Sequence, residues 1–133
     1  MNKSKDIRWK QRFQNFEKSF LLLKRTLDIK KPSEAERGGL IQFYEMTFEL
    51  AWKLLRDYLY EQGFNVNSPR EAIKQAYQSE IIENGQDWID ALEDRNLTTH
   101  TYDEETALKV VKAIKGSYFP LLNALYTRVK REI

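Results

Sequence analysis

The chain has 133 residues, no cysteine, and 22 basic against 20 acidic side chains for a net charge of +2. It can therefore build neither a disulfide framework nor thiolate chemistry, and its charge balance points to no class of partner. Hydrophobic residues at 41% and aromatics at 13% exclude a disordered or fibrous chain and are enough for a real core, expected as a single domain over residues 1–133.

The first predicted helix runs from about Lys5 to Asp28. Phe13, Phe16, Phe20, Leu23 and Leu27 recur at steps of three and four along one stripe, while Lys10, Arg12, Glu17 and Lys24 are expected on wetter faces. Lys3, Lys5, Arg8 and Lys10 are not followed by a signal-peptide apolar core, and no run reaches the ~20 apolar residues of a membrane span. The expected compartment is the cytoplasm, with no membrane contact. Pro32 closes the first element, and Ser33 with Glu36 three residues on has the spacing of a capping box. The second helix is expected to reach about Gln62, with Gly63 as its stop. Gly38 and Gly39 cost its first turns about 1 kcal/mol each, which moves the expected start toward Leu40. Phe43, Phe48, Trp52, Leu55 and Leu59 form its apolar face, widened by Leu40, Met46, Ala51 and Leu54, so it should meet more than one neighbour.

Ser68-Pro69 opens a short third helix through Ala72, Ile73, Ala76 and Tyr77 to about Ile82, and Asn84-Gly85 breaks it. Asp87 is the expected cap of a fourth helix holding Trp88, Ile89, Leu92 and Leu97. A last helix should follow Asp103, with Leu108, Val111, Ile114, Tyr118, Leu122 and Leu125 at helical spacing. Gly116 and Pro120 should kink or split it. The expected fold class is all-α, an antiparallel four- to five-helix up-and-down bundle.

Polar and ionisable groups concentrate in Asp94-Arg95-Asn96-Leu97-Thr98-Thr99-His100-Thr101-Tyr102-Asp103, which holds the chain's one histidine. These groups suit metal-free phosphodiester cleavage. An RNA 2′-hydroxyl attacks its own phosphate once a base takes its proton and an acid protonates the leaving oxygen, and histidine serves either role near neutral pH. Arg95 offers a planar fork to phosphate oxygens, and Asn96 could orient the imidazole or bond the phosphate. On one helix Arg95 and His100 diverge by about 140° at ~100° per residue. One histidine also cannot readily stand on both sides of one phosphorus. Two copies around a two-fold axis would supply both. Residue types and spacing equally allow a solvated helix end, so this reading stays open here. One histidine, no cysteine, no metal-binding motif and no Gly-rich phosphate loop lead us to expect neither a metal site nor a nucleotide cofactor. The Glu45, Glu49, Lys53 repeat reads first as a solvated stripe stabilised by Glu-to-Lys spacing; its alternative role is Glu49 approaching and holding Arg95. Trp52 reads as core rather than as a base-stacking platform.

Arg95, Asn96, His100 and Tyr102, in that order, resemble the Arg-polar-x-x-x-His-x-Tyr signature of HEPN proteins. With the block Phe43-Tyr44-Glu45-Met46-Thr47-Phe48-Glu49-Leu50-Ala51-Trp52-Lys53, the chain is similar to the HepT family, also called nucleotidyltransferase substrate-binding proteins, from Arg12 to about Leu125. The resemblance implies a homodimer with the signature at the subunit cleft, acting as a metal-independent ribonuclease toxin of a toxin–antitoxin pair. It further implies a cognate minimal nucleotidyltransferase of the MntA type as antitoxin, which places AMP on the signature tyrosine, here Tyr102. Arg95, Asn96 and His100 would be catalytic, RNA the substrate and Tyr102 the modification site. The competing expectation is a non-catalytic substrate-binding or regulatory subunit of a nucleotidyltransferase complex.

Overall fold

A computed structural model describes the backbone of residues 3–95 and 103–133, and side chains from residue 7 onward within those ranges. The described elements are all helical: α1 (Lys3–Leu27), α2 (Glu34–Glu61), α3 (Pro69–Gln78), α4 (Gly85–Arg95), α5 (Glu104–Ala113), a π-helical turn (Ile114–Tyr118) and α6 (Phe119–Lys130). Helices α1 and α2 form the frame as an antiparallel hairpin, since Trp9 packs on Tyr58, Arg12 pairs with Asp57 and Ser19 bonds Thr47. That last contact is buried at 2.7 Å. Thr47 Oγ1 spends its proton on the Phe43 carbonyl, so Ser19 is the donor between the helices. The expected stripe Phe13, Phe16, Phe20 and Leu23 is buried. Phe13 stacks on Tyr126 and Phe20 on Phe119, which lays α6 antiparallel along α1.

The expected wet faces of α1 hold in part. Arg12 and Glu17 are half-buried, because Arg12 reaches Asp57 and Glu17 accepts hydrogen bonds from Tyr126 and Lys130. Helix α2 starts at Glu34, ahead of Leu40. Ser33 Oγ accepts the Glu36 N–H at 3.1 Å, and the Glu36 carboxylate accepts the Ser33 N–H at 2.9 Å. This reciprocal cap satisfies two orphan donors and offsets the glycine cost that follows it. Gly63, at φ +98°, takes the left-handed position past its end.

Helix α3 ends at Gln78, short of Ile82. Glu80 turns left-handed at φ +61° and the Ile81 N–H bonds back to the Ala76 carbonyl, so Ile81 and Ile82 are buried as loop residues. Their burial, rather than helix periodicity, accounts for the apolar pair. Tyr77 and Met46 are exposed instead of packed. After Asn84 at φ +54°, α4 begins at Gly85 rather than at Asp87.

The final segment divides at the place its glycine and proline predict, but by a π turn. Pro120 has no N–H, and its ring would press on the carbonyl four residues back, that of Gly116. The Phe119 N–H instead bonds the Ile114 carbonyl five residues back, which widens the turn and adds one residue to it. Leu108 is 49% exposed. The line through Leu108, Val111 and Ile114 advances in steps of three and drifts off a 3.6-residue repeat. The inward line passes through Ala107, Val110 and Ile114 and resumes after the π turn at Tyr118, Leu121, Leu122, Leu125 and Val129. Among the described residues, no helix is long and apolar enough to cross a membrane.

Candidate functional site

The C-terminal end of α4 leads directly into the signature segment, and four side chains from elsewhere fasten it. Phe48, buried on α2, packs against Trp88. Tyr44, one turn earlier, donates its hydroxyl proton to the Ala91 carbonyl at 3.1 Å. Tyr118 stacks on Tyr44, with ring centroids 5.7 Å apart, and donates to the Asp94 carboxylate. Tyr118 is the last residue of the π turn, so the extra residue there sets the phase at which its ring meets α4. The fourth is Glu49.

Arg95 is the last residue of α4. Its Nη1 lies 2.7 Å from Glu49 Oε2, and its guanidinium carbon sits 5.8 Å from the centre of the Phe48 ring. Glu49 Oε1 also receives Lys53 Nζ at 3.4 Å. Both readings of the α2 stripe thus meet in one carboxylate: it makes the (i, i+4) pair with Lys53 and it holds Arg95. The pair is partly exposed, 26% for Arg95 and 41% for Glu49, so its contribution to stability is about 1 kcal/mol or less. Its effect is on position. A guanidinium bonded on one edge and covered by a ring loses much of the rotamer freedom it would otherwise surrender on meeting a phosphate.

Burial pushes the Asp94 carboxyl above its usual range, and the neighbouring charges of Asp90 and Glu93 add to the rise. Burial likewise pushes the Tyr44 hydroxyl upward, reinforced by the Asp94 charge, so Tyr44 stays a neutral donor. For an acid whose folded pKa is raised, the stabilising contribution is complete below the unfolded pKa and is lost as pH rises through the folded value. Asp94→Asn keeps an acceptor for Tyr118 without the penalised charge. It should raise the urea midpoint at neutral pH and lose that advantage under acid, where Asp94 is protonated. Equal midpoints at neutral pH would disprove the assignment.

Of the residues singled out from the sequence, Arg95 is placed as described, and Trp52 is buried on α2. Asn96, His100 and Tyr102 lie outside the described residues, as does Leu97. Spacing and residue type do not show that Tyr44, Asp94 and Tyr118 meet at this end of α4. The available signal was the Gly116–Pro120 interval, because a proline four residues after a glycine in an apolar helix marks a local change of phase. Among the described residues, no group of three or more histidine, cysteine or carboxylate side chains is gathered as a metal site.

Comparison with known proteins bears on the whole arrangement. Residues 11–131 match the family model described as nucleotidyltransferase substrate binding protein like. A curated Haemophilus influenzae relative named "Probable ribonuclease HepT" is 28% identical over 82 residues, which is 58% of this chain. The matched stretch spans 56% of that relative's own length. A crystal structure from Thermus thermophilus superposes with a TM-score of 0.80 at 32% identity, covering 87% of this chain and 99% of the other. A Haemophilus influenzae structure, titled as revealing the fold of a substrate binding domain of a nucleotidyltransferase, superposes with a TM-score of 0.74. It is 21% identical and covers 89% of this chain and 98% of the other.

Proposed function

The chain belongs to the nucleotidyltransferase substrate binding protein like family, and from that premise we propose that it is a metal-independent endoribonuclease whose site is completed when two copies pair. The observation that carries the reading is the clamp on Arg95: a guanidinium fixed by Glu49 and Phe48 at the point where α4 enters the segment that holds His100. The ribonuclease name of the curated relative agrees with it.

In the reaction, the imidazole of His100 takes the proton of an RNA 2′-hydroxyl, whose oxygen attacks the adjacent phosphorus. The bond to the 5′ oxygen breaks, and the histidine of the second copy protonates that oxygen, leaving a 2′,3′-cyclic phosphate and a 5′-hydroxyl. The two Arg95 side chains neutralise the charge that builds on the non-bridging oxygens. Asn96 orients the imidazole or bonds the phosphate. The protein works as a single helical domain in the cytoplasm, as the toxin of a two-gene pair. Its antitoxin is the cognate minimal nucleotidyltransferase. This partner directs the Tyr102 hydroxyl onto the α-phosphate of ATP, so that AMP is joined to the phenolic oxygen and pyrophosphate leaves. The adduct would crowd the cleft and offer its own phosphate to Arg95.

Purified protein incubated with RNA in excess EDTA is expected to cleave it, and expression without the partner gene is expected to arrest growth. RNA left intact at high protein concentration would favour a non-catalytic substrate-binding subunit instead. With the partner and ATP, the intact mass should rise by AMP units and cleavage should be inhibited. An unchanged mass, or an adduct that survives Tyr102→Phe, overturns the modification site.

A further inference from the structure

The outer face of α2 continues away from Arg95 past Glu49 to two cations, Lys53 and Arg56. Glu49, Lys53, Arg56 and Tyr60 follow at steps of four, three and four and so share one face. Eleven residues of helix at ~1.5 Å each carry this face over about 16 Å. At its far end the α1 hairpin partner adds Arg8 and Arg12, themselves one turn apart.

The far end is built around one buried acid. Asp57 is 2% exposed and takes two arginines at once: Arg12 Nε lies 3.1 Å from Oδ2 and Arg56 Nε 3.0 Å from Oδ1. Both arginines are engaged through Nε, and no hydrogen bond to a described residue occupies their terminal amino groups. The Arg56 guanidinium lies over Trp52 at 5.4 Å, and that of exposed Arg8 over Tyr60 at 5.3 Å. Tyr60 as a residue is 36% exposed.

The Asp57 pairs hold the α1–α2 hairpin together, but they do not account for the like-charged neighbours beside them. Lys53 and Arg56 at (i, i+3), and Arg8 and Arg12 at (i, i+4), are like-charge neighbours that each cost a helix a few tenths of a kcal/mol. A solvated face alternates sign, as Glu105 and Lys109 do on α5. Here the carboxylate between Arg12 and Arg56 is withdrawn into the core, where it orients both cations. Guanidiniums held by Nε or laid over aromatic rings keep a fixed fork that suits phosphodiester oxygens.

We propose that Lys53, Arg56, Arg12 and Arg8, with Tyr60, form a binding track for the backbone of single-stranded RNA leading to or from the Arg95 site. The ligand's identity as RNA rests on the reading given above; the track itself does not require that the RNA be cut. Each cation takes the place of counterions on one phosphate, and Tyr60 carries the Arg8 guanidinium on its ring.

The test is fluorescence anisotropy with a labelled single-stranded oligoribonucleotide of about 12 nucleotides, within the usual range for such sites. The His100→Ala protein is used so that the probe stays intact. Adding Arg8→Gln and Lys53→Gln, which leave the Asp57 pairs in place, should weaken binding about tenfold. It should also flatten the dependence of log K on log salt by about 1.4, at ~0.7 per single-strand phosphate contact. Arg56→Lys, which keeps the charge but not the fork, should weaken binding by a smaller factor. Unchanged affinity and slope overturn the track. So does normal RNA binding with loss of co-purification of the nucleotidyltransferase, which would make the face a protein dock. Should His100→Ala protein and parent both leave RNA intact while binding shows the stated losses, the nuclease reading falls and the track stands.

Discussion

Alanine at His100 is expected to slow RNA cleavage by about 10²–10⁴-fold, the usual contribution of a positioned proton-transfer group. If one copy supplies the base and the other the acid, a mixed dimer of parent and His100→Ala subunits keeps only one of the two histidines, so excess His100→Ala protein added to the parent should depress its cleavage. Cleavage that simply follows the amount of parent chain would show that each copy works alone. Arg95→Lys tests a different quantity. It keeps the positive charge but loses the planar fork, the edge bonded to Glu49 at 2.7 Å and the cover over Phe48. A fall of about 10²-fold is expected, near the cost of removing one transition-state donor. Glu49→Gln should reduce kcat by less than either. Its effect on the unfolding free energy from urea titration should stay within about 1 kcal/mol, because the pair is partly exposed. A Glu49→Gln protein with unchanged kcat would show that the pair does not position Arg95. Undiminished cleavage by His100→Ala would end the nuclease assignment altogether.

The largest expected loss of stability is at Phe16. Its ring is fully buried on α1 and packs with Phe13, Phe20 and Tyr126. Phe16→Ala removes the transfer energy of the ring and leaves a cavity that rigid aromatic neighbours fill poorly, at a cost of about 3–5 kcal/mol. That is a large share of the roughly 5–15 kcal/mol by which domains of this size are stable. Leu21, on the same helix but 41% exposed, should cost about 0.5 kcal/mol or less when truncated. Urea unfolding of the two variants side by side makes the comparison. A Phe16→Ala loss below about 1.5 kcal/mol would mean that the α1–α6 aromatic seam is not packed as described. The seam matters to the site, because α6 carries on from the π turn that holds Tyr118 against Asp94.

Much of this architecture is local and therefore legible in the chain. The α1 stripe, the Ser33–Glu36 capping box and the Ser68-Pro69 start depend on residues within a turn or two of one another, where spacing translates directly into geometry. Arg95 could be singled out because an arginine ahead of a lone histidine in a polar segment is chemically distinctive. The residues that miss their expected places do so for non-local reasons. Met46 and Leu108 are apolar yet exposed, because which side of a helix is inward depends on the neighbours it finds. Arg12 looked like a wet charge until Asp57, 45 residues away, was brought beside it.

Amino-acid order by itself determined an all-helical fold class, most of its helix boundaries, its aromatic core stripe and the polar segment proposed as the site, since those follow from period, caps and residue type. Only the tertiary structure decided that Glu49 is the carboxylate on Arg95, that a π turn sets Tyr118 against Asp94, and that Asp57 gathers two arginines. Each of these depends on a contact between segments distant in sequence. Their meeting is set by how the faces pack, a global minimum of buried surface that no short window of residues encodes.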